Sequence, residues 1–173
     1  MHLSIVVGSE QRGGARLGQF SDIPEIALAV AWHEGRVGDR LCTVDGRSVE
    51  VVHRGIWTHG FGPDFRDAML VLDSRELVAG SIEIHVSTAG WTEHGHHTDA
   101  RYNSVVLHLV LRHDGSETRR ADGALVPVAE LGLDPATLPS IERRARAWAM
   151  VGGEVCAEAR AREHPASVRE VLW

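Results

Sequence analysis

The stretch Ser81-Ile-Glu-Ile-His85 alternates apolar and polar residues with a period of two, which suits a β-strand and not a helix. On a strand, Ile82, Ile84 and Val86 point one way while Glu83 and His85 point the other. A second strand-like segment, Asp64 to Leu72, precedes it, and Asp73-Ser74-Arg75 separates it from Glu76 to Val86. The pair predicts an antiparallel hairpin. With Asp73 opposite Glu76, Leu70 falls opposite Ala79, Arg66 opposite Glu83 and Asp64 opposite His85. Asp64, Glu83 and His85 then share one polar face. An even slip in pairing keeps that cluster, and a slip of one residue moves Asp64 to the other side.

The rest of the chain frames this hairpin as a mixed α+β fold: an N-terminal helix, a central four- to five-stranded mixed sheet with antiparallel hairpins, and C-terminal helices. Residues 1–23, with scattered glycines after a strand-like Leu3 to Val7, read as a loose leader, and residues 24–131 as the core domain. Pro24, after Ser21 and Asp22 as candidate caps, opens a helix carrying Ile26, Leu28, Ala29, Val30 and Trp32, which Gly35 stops. Leu41 to Val44 and Val49 to His53 flank Asp45-Gly46 as a second hairpin. Val105 to Leu111 is nearly continuous in apolar residues, as a strand buried on both faces would be. Beyond Asp114 the pattern reads as helical: weakly from Val126 to Leu131, strongly from Leu138 to about Met150, then Glu154 to Glu163 and Ser167 to Trp173. Residues 138–173 thus form a helical C-terminal region, and its apolar end, Leu172-Trp173, suggests a homo-oligomer or a helical partner there.

Two carboxylates and an imidazole at a strand end, beside Gly62-Pro63-Asp64, suit an oxygen-preferring cation such as Mg2+ or Mn2+, with Asp64 and Glu83 as ligands. Such an ion activates water and steadies a phosphoryl oxygen. His94, His96 and His97 follow on a loop that ends at Asp99, and could serve as general bases near phosphate or, as His94, His96 and Asp99, hold Zn2+. The bland alternatives are concrete. Glu83 and His85 would be an ordinary solvated pair on an exposed sheet face, His108 a hydrogen-bonded core histidine, and Trp91 and Tyr102 packing anchors. Arg143, Arg144 and Arg146 would be a solvated helix face.

At these residues the chain resembles the bacterial family named for domain of unknown function 2851. The matching text is Gly62-Pro-Asp-Phe65, Gly80-Ser-Ile-Glu-Ile-His85, Trp91 with His94, His96, His97 and Asp99, then Tyr102 and Val105 to His108. The resemblance spans Glu25 to Leu131. Family members continue into a longer helical C-terminal region, so this chain is expected to correspond to the N-terminal part of such a protein. A looser resemblance, Pro63-Asp64 followed after one hairpin by Glu83-Ile84-His85, is to the PD-(D/E)XK nuclease superfamily. It implies a restriction-endonuclease-like core, with Glu25 or Glu34 as the extra acid on the first helix and histidine where that superfamily has lysine. Very-short-patch repair endonucleases, which this region also resembles in following a Pro-Asp-Phe strand with a His-rich loop, carry the same replacement.

Composition narrows the chemistry. All 18 basic residues are arginine, which excludes any mechanism that needs a lysine ammonium or Schiff base. Net charge is −6, so attraction to nucleic acid would have to be local. Two distant cysteines argue against a disulfide framework and for a reducing compartment. No segment approaches the ~20 apolar residues of a membrane span and no secretion signal is evident, so the expected location is cytoplasmic. Three readings remain open: a Mg2+- or Mn2+-dependent nuclease-like phosphodiesterase acting on nucleic acid through Asp64, Glu83, His85, His94, His96 and His97; a zinc-dependent non-nuclease hydrolase using the His94–Asp99 loop; and a non-catalytic interaction module.

Overall fold

A computed structural model describes residues 23–60, 62–134 and 136–147. The leader strand, the caps Ser21 and Asp22, and the helices expected over Glu154 to Glu163 and Ser167 to Trp173 lie outside the described residues. Helix α1 spans Glu25–His33, with Pro24 as its extended N-cap residue and Gly35 in the left-handed region (φ 68°) just past its end. Ala27 through Trp32 are all buried. Six consecutive buried residues wrap more than a full helical turn, so α1 is covered on every side instead of showing a single apolar stripe.

The strands are β1 (Arg40–Cys42), β2 (Ser48–His53), β3 (Ile56–Trp57), β4 (Phe65–Leu72), β5 (Glu76–Ser87), β6 (Val105–Arg112) and β7 (Val128–Glu130). They form one mixed sheet in the order β1-β2-β4-β5-β6-β7, with β3 pairing β4 at its side. That is larger than the four to five strands expected. Both hairpins form, β6 runs parallel to β5, and β7 parallel to β6. β7 lies where the Val126 to Leu131 pattern reads as helical. Its three residues are short enough for pairing with β6 to override that local pattern. The sheet curls until its edges meet, through a bridge from Thr43 to Ala129 and a 2.8 Å bond from the Val44 N–H to the Val128 carbonyl.

The β4–β5 register departs from the expected one twice. Leu72, not Asp73, faces Glu76, because Asp73 and Ser74 both take positive φ (50° and 56°) and the Arg75 N–H closes a tight turn on the Leu72 carbonyl at 3.0 Å. A bulge between Phe65 and Ala68, containing Asp67 at φ 58°, adds a second offset of one residue. Together the two amount to an even slip, so Asp64 stays on the polar side, beside Glu83 instead of His85.

One face of the sheet carries the main core. Val49, Phe65, Leu70, Ile82, Ile84, Leu107 and Leu109 pack with α1 and with Leu138, Ile141 and Ala145 of the helix over 138–147. Arg144 of that helix reaches back to Glu34 at 2.7 Å. On the other face, the crossover from β5 to β6 holds only α2 (Gly90–Glu93) and two short 3-10 turns, His96–Thr98 and Ala100–Ser104. Gly80 marks where this crossover returns: a Cβ there would stand 2.6 Å from the Ser104 carbonyl oxygen and closer still to Val106.

Candidate functional site

Glu83 and His85 project from β5 beneath the crossover, and both are buried, 6% and 1% exposed. They are not a solvated pair on an open sheet face. The crossover covers them because Trp91 and Tyr102 pack with Val105 and Val126 into a second apolar cluster, as packing anchors would. The Trp91 indole N–H donates to the Arg119 carbonyl at 2.8 Å. Gly90 allows the approach, since a Cβ there would lie 2.9 Å from the His85 ring. Gly95, at φ 77°, turns the chain between His94 and His96 so that both imidazoles face His85.

Asp64 and Glu83 interlock. The Asp64 N–H donates to Glu83 Oε2 at 3.0 Å, and the Ile84 N–H donates to Asp64 Oδ2 at 3.0 Å. Burial, and then the nearby Glu83 charge, push Asp64 up to about 7; burial pushes Glu83 up to about 8. Among the described residues, no arginine pairs with either carboxylate. Both line a cavity of about 310 Å3 together with Glu25, Trp57 and His59. Of the two helix acids raised by the nuclease resemblance, Glu25 faces this cavity, whereas Glu34 is engaged by Arg144 and Arg36.

On the far side of Glu83 the imidazoles form a chain. His94 Nδ1 lies 3.1 Å from His85 Nε2, His85 Nδ1 lies 2.8 Å from His108 Nε2, and His108 Nδ1 lies 2.8 Å from the Thr118 hydroxyl. Burial holds His85 down at about 2 and His108 at about 3, and it lowers His96 as well, so all three are neutral. His96 stacks on Tyr102 with ring centroids 3.7 Å apart. Its Nε2 stands 3.1 Å from Glu83 Oε1 but outside hydrogen-bonding geometry, leaving a buried nitrogen without a hydrogen-bond partner among the described residues. A neutral ring off the bonding angle makes this an apposition and not an ion pair.

Asp64, Glu83, His85, His94 and His96 therefore come together. His97 is exposed, and Asp99 caps the following turn and holds Arg101 in a two-oxygen pair. His108 is the hydrogen-bonded core histidine expected of it, and the parallel register sets it beside Glu83. Thr118, which ends the chain of imidazoles, carries no sequence signal. The arrangement offers two clustered carboxylates, Glu83 buried and Asp64 half-buried, that line a cavity and are backed by imidazoles that burial keeps neutral.

No curated protein and no solved structure matches the chain. Among the described residues, no helix is long and apolar enough to cross a membrane. The family model of the proteins of unknown function called DUF2851 matches residues 25–150, and the chain belongs to that family.

Proposed function

We propose that the protein is a divalent-cation-dependent hydrolase of phosphodiesters, nuclease-like in its site. The observation that carries this reading is the interlocked pair of buried Glu83 and half-buried Asp64, without an arginine partner among the described residues and lining a cavity that Glu25 also lines. Two carboxylates this close resist sharing negative charge, and a cation between them relieves both the repulsion and the desolvation. All-oxygen donors favour Mg2+ or Mn2+, which would polarise a phosphoryl oxygen and lower the pKa of a bound water.

The chain's own residues supply the rest. Backbone N–H groups of Asp64 and Ile84 hold the two carboxylates in place. His96 and His85 stand 3.1 and 3.7 Å from Glu83 Oε1, and His94 beside them faces solvent. The zinc alternative built on Asp99 is less favoured, because both oxygens of that carboxylate are engaged by Arg101.

Cleavage of labelled single- and double-stranded DNA and RNA, with Mg2+ or Mn2+, tests the proposal. Wild type is expected to cleave at least one of them, and Asp64→Asn, which keeps the acceptor for Ile84 but removes the charge, to lose about 100-fold or more in rate and most of its Mn2+ affinity. Equal cleavage by the variant, or none by wild type at saturating metal, would sink it.

A further inference from the structure

We propose that His85, His94 and His96, with Glu83 Oε1 as fourth donor, form a separate site for a zinc-class transition-metal ion. The ligand nitrogens of the three histidines all lie within 4.8 Å of one another. Three of the donor separations are 3.1 Å for His85 Nε2 to His94 Nδ1, 3.1 Å for His96 Nε2 to Glu83 Oε1 and 3.7 Å for His85 Nε2 to Glu83 Oε1. A tetrahedral ion with bonds of about 2.0–2.1 Å places its donors roughly 3.3–3.4 Å apart, which these distances bracket. Closing the set also requires the wider separations, bounded by 4.8 Å among the histidines, to contract.

Two further observations point to a ligand. His96 Nε2 is a buried nitrogen without a hydrogen-bond partner among the described residues, on a side chain only 9% exposed, and it is aimed at the other donors. A buried lone pair with nothing to bond destabilises the fold unless something binds it. Behind the site, His85 Nδ1 meets His108 Nε2, and His108 Nδ1 meets the Thr118 hydroxyl, each at 2.8 Å. With both Nδ1 atoms protonated, the His85 Nε2 lone pair faces the cluster, and the ring is oriented from behind as metal-bound histidines require. His94 is the exposed donor, so an ion enters from solvent on its side.

The donor chemistry separates this site from the carboxylate one. Three nitrogens and one oxygen favour zinc over magnesium, whereas Asp64, Glu83 and Glu25 offer oxygens alone. Glu83 faces both, its Oε2 toward Asp64 and its Oε1 toward the histidines. Resting on the function proposed above, an ion among the histidines makes Glu83 a bridge between two metal positions. It also supplies fixed positive charge in a chain without lysine.

The test is zinc retained per chain after dialysis, measured by elemental analysis, together with the visible absorption of the Co2+-loaded protein. Wild type is expected to hold one zinc, His94→Ala and His96→Gln to lose it while keeping wild-type circular dichroism, and Thr118→Val to weaken it about 10–100-fold. Asp64→Asn is expected to keep the zinc even as it loses Mn2+ affinity, so failure of the hydrolase reading and failure of this one are distinguishable. Absence of stoichiometric zinc in wild type, zinc unaffected by the two histidine variants, or zinc lost with Asp64→Asn would overturn the assignment.

Discussion

The two faces of β5 and β6 are buried to a similar depth by opposite means. On one, Ile82, Ile84, Leu107 and Leu109 meet α1 and the rest of the apolar core. On the other, Glu83, His85 and His108 lie under the crossover, each tied to a specific partner atom. The apolar face is held by removal of carbon from water, which tolerates variation in shape as long as volume is kept. The polar face holds groups that burial alone disfavours, so it persists only while each donor meets its acceptor.

Neighbouring residues on β6 give the sharpest contrast. Leu107→Ala, on the apolar face, is expected to lower stability by about 2–5 kcal/mol in urea denaturation, since the side chain is fully buried and leaves a cavity. His108→Leu keeps the volume but strips the partner from His85 Nδ1 and from the Thr118 hydroxyl, and is expected to lower stability by about 1–3 kcal/mol. If His108→Leu were neutral, the polar face would owe its order to packing alone and the comparison would fail.

The pH dependence divides the polar face in a smaller way. Asp64 and Glu83, raised to about 7 and about 8 from their ordinary values of 3.8 and 4.5, stabilise the metal-free fold fully below the unfolded values, and that contribution is lost as pH rises through 7 to 8. His85 and His108, lowered to about 2 and about 3 from 6.5, act oppositely: their contribution is present above 6.5 and is lost as pH falls below it. Between 4.5 and 6.5 the two trends oppose each other, so stability is expected to plateau there and to decline on either side. The slope is at most about 1.4 kcal/mol per pH unit for each group. Thermal denaturation across pH checks it, and saturating Mn2+ is expected to remove the decline above 6.5, because the ion takes over from the protons on the carboxylates. A flat metal-free profile would mean that the two carboxylates are better solvated than their burial implies.

Much of this was readable along the chain because the signals are local. The alternation of Ile82, Glu83, Ile84 and His85 reports which side chains share a face wherever the strand lies, and Asp45-Gly46 and Pro24 report a turn and a helix start from backbone preferences alone. The hairpin register was not readable to the residue, since the left-handed pair Asp73-Ser74 and the bulge at Asp67 depend on how β4 fits its neighbours. Two offsets of one residue return Asp64 to the polar face because side chains alternate along a strand with a period of two.

The sequence by itself determined which residues could do chemistry and which neighbours they had within one strand, because propensity and periodicity act over a few residues. Only the tertiary structure decided that Glu83 and His85 are buried, that β7 is a strand paired to β6, that His96 turns inward while His97 does not, and that Thr118 ends the imidazole chain. Each of those depends on contacts between residues distant in the chain, where closing the sheet and covering its face outweigh local preference.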